Sequence, residues 1–136
     1  MANELLLNKA ATIERCIARA KEEYEKDIQN FEDDYTRQDA AILNIERACE
    51  TALDIGHIYV RENKLGIPQS SRNVFELLEK GNVISKELSE KLKKMVGFRN
   101  IAIHDYQNIQ IPILLEVIKT HLNDLLEFSK ILVQKS

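Results

Sequence analysis

A chain of 136 residues with 44% hydrophobic and 30% charged side chains has the makeup of one compact domain that buries roughly 70% of its unfolded surface, and this excludes intrinsic disorder. A formal net charge of −3 excludes a whole-molecule basic field, so any nucleic-acid contact must be local. The opening residues carry no basic n-region, and no stretch reaches the ~18 apolar residues of a membrane span; a cytoplasmic chain without a membrane partner is expected.

Apolar residues at Leu6, Ala10, Ile13, Ile17, Ala20 and Tyr24 recur in steps of four and three. They predict a first helix from about Asn3 to Asp27, with Arg15, Arg19 and Lys21 on its solvated side. The acidic run Glu32-Asp33-Asp34 between Phe31 and Tyr35 reads as a connection. Thr36 with Asp39 three residues on resembles a capping box for a second long helix. Its buried stripe is Ile42, Ile45, Cys49, Ala52, Gly56 and Tyr59, while Asn44, Arg47, Thr51 and Asp54 face elsewhere, toward water or a polar seam. The two cysteines, Cys16 and Cys49, fall on apolar stripes and read as buried thiols rather than a disulfide.

Gly66-Ile67-Pro68-Gln69-Ser70-Ser71 is the clearest break: glycine suits a left-handed helix end, proline stops continuation, and either serine can cap a new helix. That short helix carries Val74, Phe75, Leu77 and Leu78 and stops at Gly81, and Ser85 caps its successor. The fourth helix points Leu88, Leu92, Met95 and Val96 inward and carries Lys91, Lys93 and Lys94 beside them. Gly97 costs it roughly 1 kcal/mol against alanine, which predicts close approach of another backbone. A final helix begins around Pro112 with Ile111, Leu115, Ile118, Leu122, Leu125 and Leu132. No window alternates like a strand. The expected architecture is all-α: an antiparallel bundle of four main helices plus one short helix, forming a single domain over residues 1–136.

Within this scaffold, Gly97-Phe98-Arg99-Asn100-Ile101-Ala102-Ile103-His104-Asp105-Tyr106 holds the chemistry. Histidine transfers protons near neutral pH, and arginine presents a permanently charged fork that matches a phosphate. A phosphodiester-cleaving site needs both. On one ideal helix Arg99 and His104 lie about 140° and about 7.5 Å apart, and Tyr106 falls further out of phase. Their convergence therefore predicts a helix break near His104-Asp105, where Asp105 and Asn108 leave helical geometry easily. His57 and His121 lie away from the motif without ligand-like neighbours, and no Cys/His cluster, paired-aspartate motif or glycine-rich loop is present. Neither a metal site nor a cofactor is expected.

Arg99-Asn100, four residues, His104, one residue, Tyr106 resembles the R-N-x-x-x-x-H-x-Y pattern of the HepT-type toxins in the HEPN ribonuclease superfamily. Gln38-Asp39-Ala40-Ala41-Ile42-Leu43-Asn44, Gly66-Ile67-Pro68-Gln69-Ser70-Ser71-Arg72 and Leu92-Lys93-Lys94-Met95-Val96-Gly97 are similar to that family in the same order. The resemblance implies a HEPN-like bundle, a homodimer with a composite cleft, and metal-independent endoribonuclease action on tRNA or mRNA. It implies catalytic Arg99 and His104, with Asn100 supporting them or binding phosphate, and Lys91, Lys93 and Lys94 are candidates for RNA-backbone contacts. It further implies an MntA-type nucleotidyltransferase antitoxin as partner, which silences the toxin by AMPylation of Tyr106. The alternative from another class is a non-catalytic nucleotide-binding or adaptor dimer that assembles with a nucleotidyltransferase.

Overall fold

The computed structural model describes residues 3–136, and every described element is helical. Helix α1 spans Glu4–Glu25 and begins where the Asn3 side chain accepts from the Leu5 and Leu6 N–H groups, the oxygen cap that orphan donors of a first turn require. Helix α2 spans Tyr35–Glu62. Between them Phe31–Asp33 make a 3-10 turn that seats Phe31 in the core, edge-on to Tyr24. The buried Gln38 amide donates to the Phe31 carbonyl at 2.7 Å and closes this connection.

Asn3 contacts Glu62 and Lys9 contacts Asp54, so α1 and α2 run antiparallel along their full length. Helix α3 (Ser71–Lys80) is capped by Ser70, and α4 (Lys86–His104) by Ser85; both serine caps match the sequence. Helix α3 packs on α4 and α2. The last rod is α5 (Ile111–Glu116), a π turn (Val117–His121) and α6 (Leu122–Lys135), with α6 lying across α1 and α2. One contiguous apolar cluster runs from Leu6 through Ile45, Phe75 and Leu92 to Phe128 and Leu132. This is the all-α bundle the periodicities predict, and no described helix is long and apolar enough to cross a membrane.

Five local expectations are corrected. The cap of α2 is Asp34, whose carboxylate accepts from the Arg37 N–H at 3.1 Å, so Thr36 and Asp39 lie inside the helix and form no capping box. The left-handed residue just past α2 is Lys64 (φ 53°), with Gly66 (φ 136°) two positions further on. Asn44 is buried rather than solvated, its amide donating to the Ala40 carbonyl. The neighbour of Gly97 is not a backbone but the Arg72 guanidinium, 3.2 Å from where a Cβ would stand. The final helix is interrupted at Val117–His121 by the π turn; steps of three and four fit either helix type, so the apolar pattern carries no sign of it.

Candidate active site

The motif is split between two backbone states. Helix α4 holds Arg99, Asn100 and His104 and stops there: Asp105 leaves helical geometry (φ −148°, ψ 45°) while its N–H still donates to the Ile101 carbonyl at 2.8 Å. Residues Tyr106–Asn108 then form a 3-10 turn. The Asn108 side-chain amide donates to the Asp105 carboxylate at 2.7 Å, and its backbone N–H to the Asp105 carbonyl at 2.9 Å. The break falls at His104-Asp105 as the sequence predicts, but among the described residues no hydrogen bond joins Arg99, His104 and Tyr106, whose convergence the spacing predicts.

Arg99 lies over α2, its side chain 19% exposed. The Nε donates to the Glu50 carboxylate at 2.5 Å, and one terminal nitrogen donates to Asn100 Oδ1 at 2.9 Å. Asn100 thus steadies the guanidinium. Two sides of the arginine fork are thus engaged by protein, Nε by Glu50 and one terminal nitrogen by Asn100; a phosphate would take the remaining donors or displace Glu50.

His104 is exposed at the last position of α4, and its imidazole makes no hydrogen bond among the described residues. Within one chain, no hydrogen bond joins Arg99 and His104 among the described residues. Tyr106, 42% exposed, donates its hydroxyl to Asp39 on α2. Burial raises the phenol's pKa above its usual value, and the hydrogen bond and negative charge of Asp39 raise it further.

The two contacts, Arg99 to Glu50 and Tyr106 to Asp39, show that α4 and its extension run antiparallel to α2. Asp39, Leu43, Glu46 and Glu50 recur in steps of four and three on one face of α2, and the motif lies along that face. Glu50 also lines a polar cleft of about 420 Å³ between α1 and α2, beside Arg15, Arg19 and Arg47. Sequence reading missed Glu50 and Asp39 as site residues, because their partners stand 49 and 67 positions away and nothing local marks them.

The lysines separate. Lys91 and Lys94 are exposed, whereas Lys93 lies 3.5 Å from both Glu76 and Glu90; these carboxylates outweigh its partial desolvation and hold its pKa above the usual lysine value. Cys16 and Cys49 are free and buried. Burial pushes the Cys49 thiol up to about 12, with Arg99 opposing in part. His121, expected to lack ligand-like neighbours, stands between two carboxylates, with Nδ1 3.2 Å from Asp124 and Nε2 3.5 Å from Glu116. Among the described residues no group of three His, Cys, Asp or Glu side chains is placed to hold a metal.

Comparison with known proteins gives the family of the chain. The ribonuclease HepT-like family model matches residues 13–132. The mRNA nuclease HepT of Shewanella oneidensis is 48% identical over 126 residues, covering 93% of this chain and 94% of that protein. A solved structure of a tri-AMPylated Shewanella oneidensis HEPN toxin in complex with MNT antitoxin superposes with a TM-score of 0.92 at 45% identity, covering 98% of this chain and 99% of that one. A toxin–antitoxin complex with AMP-PNP gives 0.90 at 45% identity, covering 96% and 98%. With a family model over residues 13–132 and a relative 48% identical across nearly its whole length, the chain belongs to the HepT-like ribonuclease family.

Proposed function

We propose that this protein is an endoribonuclease toxin that cleaves RNA without a metal ion, using Arg99 and His104 at a cleft between two copies of the chain. The observation that carries this reading is the pairing of a held arginine and a free histidine: Arg99 is oriented by Glu50 and Asn100, while His104 stands exposed at the helix end. An adaptor needs neither feature. The identity to an mRNA nuclease over nearly the whole chain supports RNA as the substrate.

In the reaction the RNA 2′-oxygen attacks the adjacent phosphorus and the bond to the 5′-oxygen breaks. One group must take the hydroxyl proton and another must protonate the departing oxygen. Each chain supplies one histidine at the motif, so two chains about a two-fold axis supply both. Arg99 stabilises the charge that builds on the phosphorane. The remaining donors of its fork do this if Glu50 stays; if a phosphate displaces Glu50, Nε joins them. Lys91 and Lys94 extend the phosphate track. Lys93, already shared by two glutamates, contributes least.

The toxin is silenced, in this reading, by a nucleotidyltransferase antitoxin that attaches AMP to Tyr106. The partly exposed phenol beside the motif supports the assignment, since each AMP adds negative charge and bulk where anionic RNA must enter. RNA cleavage in EDTA by wild-type, Arg99→Ala and His104→Ala proteins tests the nuclease assignment. Cleavage by the wild type and its loss in both variants is expected; undiminished cutting by His104→Ala removes the histidine from the mechanism.

A further inference from the structure

We propose that Asp39 is the general base for AMP transfer onto Tyr106, so that the toxin carries part of the machinery of its own inactivation. This rests on the reading of Tyr106 as the AMP acceptor and adds the group that makes it a nucleophile.

A neutral phenol is a weak nucleophile toward phosphorus, and an enzyme must either lower its pKa or place a base against it. The first route is closed here, because burial and the Asp39 carboxylate both keep the hydroxyl protonated. The second is built into the fold. The Tyr106 hydroxyl already donates to Asp39 Oδ1, so the proton has an acceptor before any nucleotide arrives. The contact spans 67 positions of sequence and exists because α4 ends at His104 and the 3-10 turn folds Tyr106 back toward α2. Both residues are exposed, which leaves the phenol's outer side open to an incoming nucleotide.

The step balances without further groups on this chain. Tyr106 Oη forms a bond to the α-phosphorus of an adenine nucleoside triphosphate held by the nucleotidyltransferase. The bond from that phosphorus to the oxygen bridging to the β-phosphate breaks, and pyrophosphate leaves with the electron pair. The phenolic proton passes to Asp39 and then to water. After transfer the tyrosine oxygen has no proton to donate, so the contact with Asp39 is lost and a phosphodiester charge lies near the carboxylate. The modified residue is thereby driven off α2, toward the side from which it was attacked.

The test is the single-turnover rate at which the purified antitoxin and ATP attach the first AMP to full-length chains, read by intact mass. Asp39→Asn keeps an acceptor oxygen and the same shape but cannot take a proton; it is expected to slow the first transfer about 10²-fold or more, with antitoxin affinity unchanged. Asp39→Glu should recover part of the rate. Placing difluorotyrosine at position 106 of the Asp39→Asn chain should restore it, because that phenol ionises without help; a purely structural contact would not be rescued. Adducts on Tyr106→Phe would overturn the acceptor assignment. Tyr106→Phe without adducts, but Asp39→Asn reacting at the wild-type rate or failing only through weaker antitoxin binding, would overturn the base alone.

Discussion

Arg99 donates its Nε to the Glu50 carboxylate at 2.5 Å while a terminal nitrogen reaches Asn100 at 2.9 Å. The guanidinium uses two edges of a rigid fork at once, and an ammonium cannot do so. Arg99→Lys should therefore lose most of the cleavage rate, roughly 10²-fold or more, although the positive charge is kept. RNA affinity should change far less, because charge alone supplies much of phosphate binding. A fluorescent RNA cleavage assay beside an anisotropy titration separates the two. Equal activity of the lysine and arginine proteins would show that fork geometry is irrelevant.

Glu50→Gln keeps an oxygen to receive the Arg99 N–H but removes the negative charge. The variant should bind RNA more tightly by a few-fold at low salt, since a carboxylate beside the arginine repels phosphate. The gain should shrink as salt rises. Weaker binding at every salt concentration would contradict this account of Glu50.

His104 is exposed and its imidazole forms no hydrogen bond among the described residues, so its removal leaves packing intact. His104→Ala should stay within about 0.5 kcal/mol of the wild type in urea unfolding while losing RNA cleavage about 10²-fold or more. A large drop in stability would expose a structural duty.

Gly56 has no such freedom. A Cβ there would stand 2.6 Å from Val74 Cγ1, and Val74 is fully buried with a stiff, branched side chain. Gly56→Ala gains helix propensity yet should still destabilise by about 1–2 kcal/mol, overpacking outweighing the propensity gain. Thermal unfolding decides it; a raised melting temperature would mean that α2 and α3 separate more easily than their packing indicates.

The Cys49 thiol titrates near 12 because burial disfavours its thiolate. Between the ordinary thiol range and that value, the unfolded chain releases a proton that the folded chain retains, so this group lowers stability as pH rises from about 9. In native protein at pH 9, iodoacetamide should leave Cys49 unlabelled, and urea should render it reactive. Labelling at the unfolded rate in native buffer would contradict the burial.

The bundle is legible in the sequence wherever one residue decides local structure: Ser70 and Ser85 as caps, the apolar stripes of α1 and α2, and the break after His104. It is illegible where two local solutions compete, as at the start of α2. There Asp34 and Thr36 both offer oxygens, and the turn that buries Phe31 favours the aspartate. Glu50 and Asp39 look like ordinary solvated acids until α4 is laid beside α2. The π turn leaves no mark in a pattern of three and four.

Because Glu50 and Asp39 sit eleven residues apart on one uninterrupted helix, α2 works as a yardstick against which the 99–106 segment is gauged. One residue added or removed between them would move one anchor by about 1.5 Å and swing it through about 100°. The guanidinium and the phenol would then no longer both find their acids. Ala40, Leu43, Glu46 and Arg47, which lie outside the core, can therefore drift in identity, but the 40–49 stretch cannot change in number without parting the Arg99–Glu50 contact from the Tyr106–Asp39 contact.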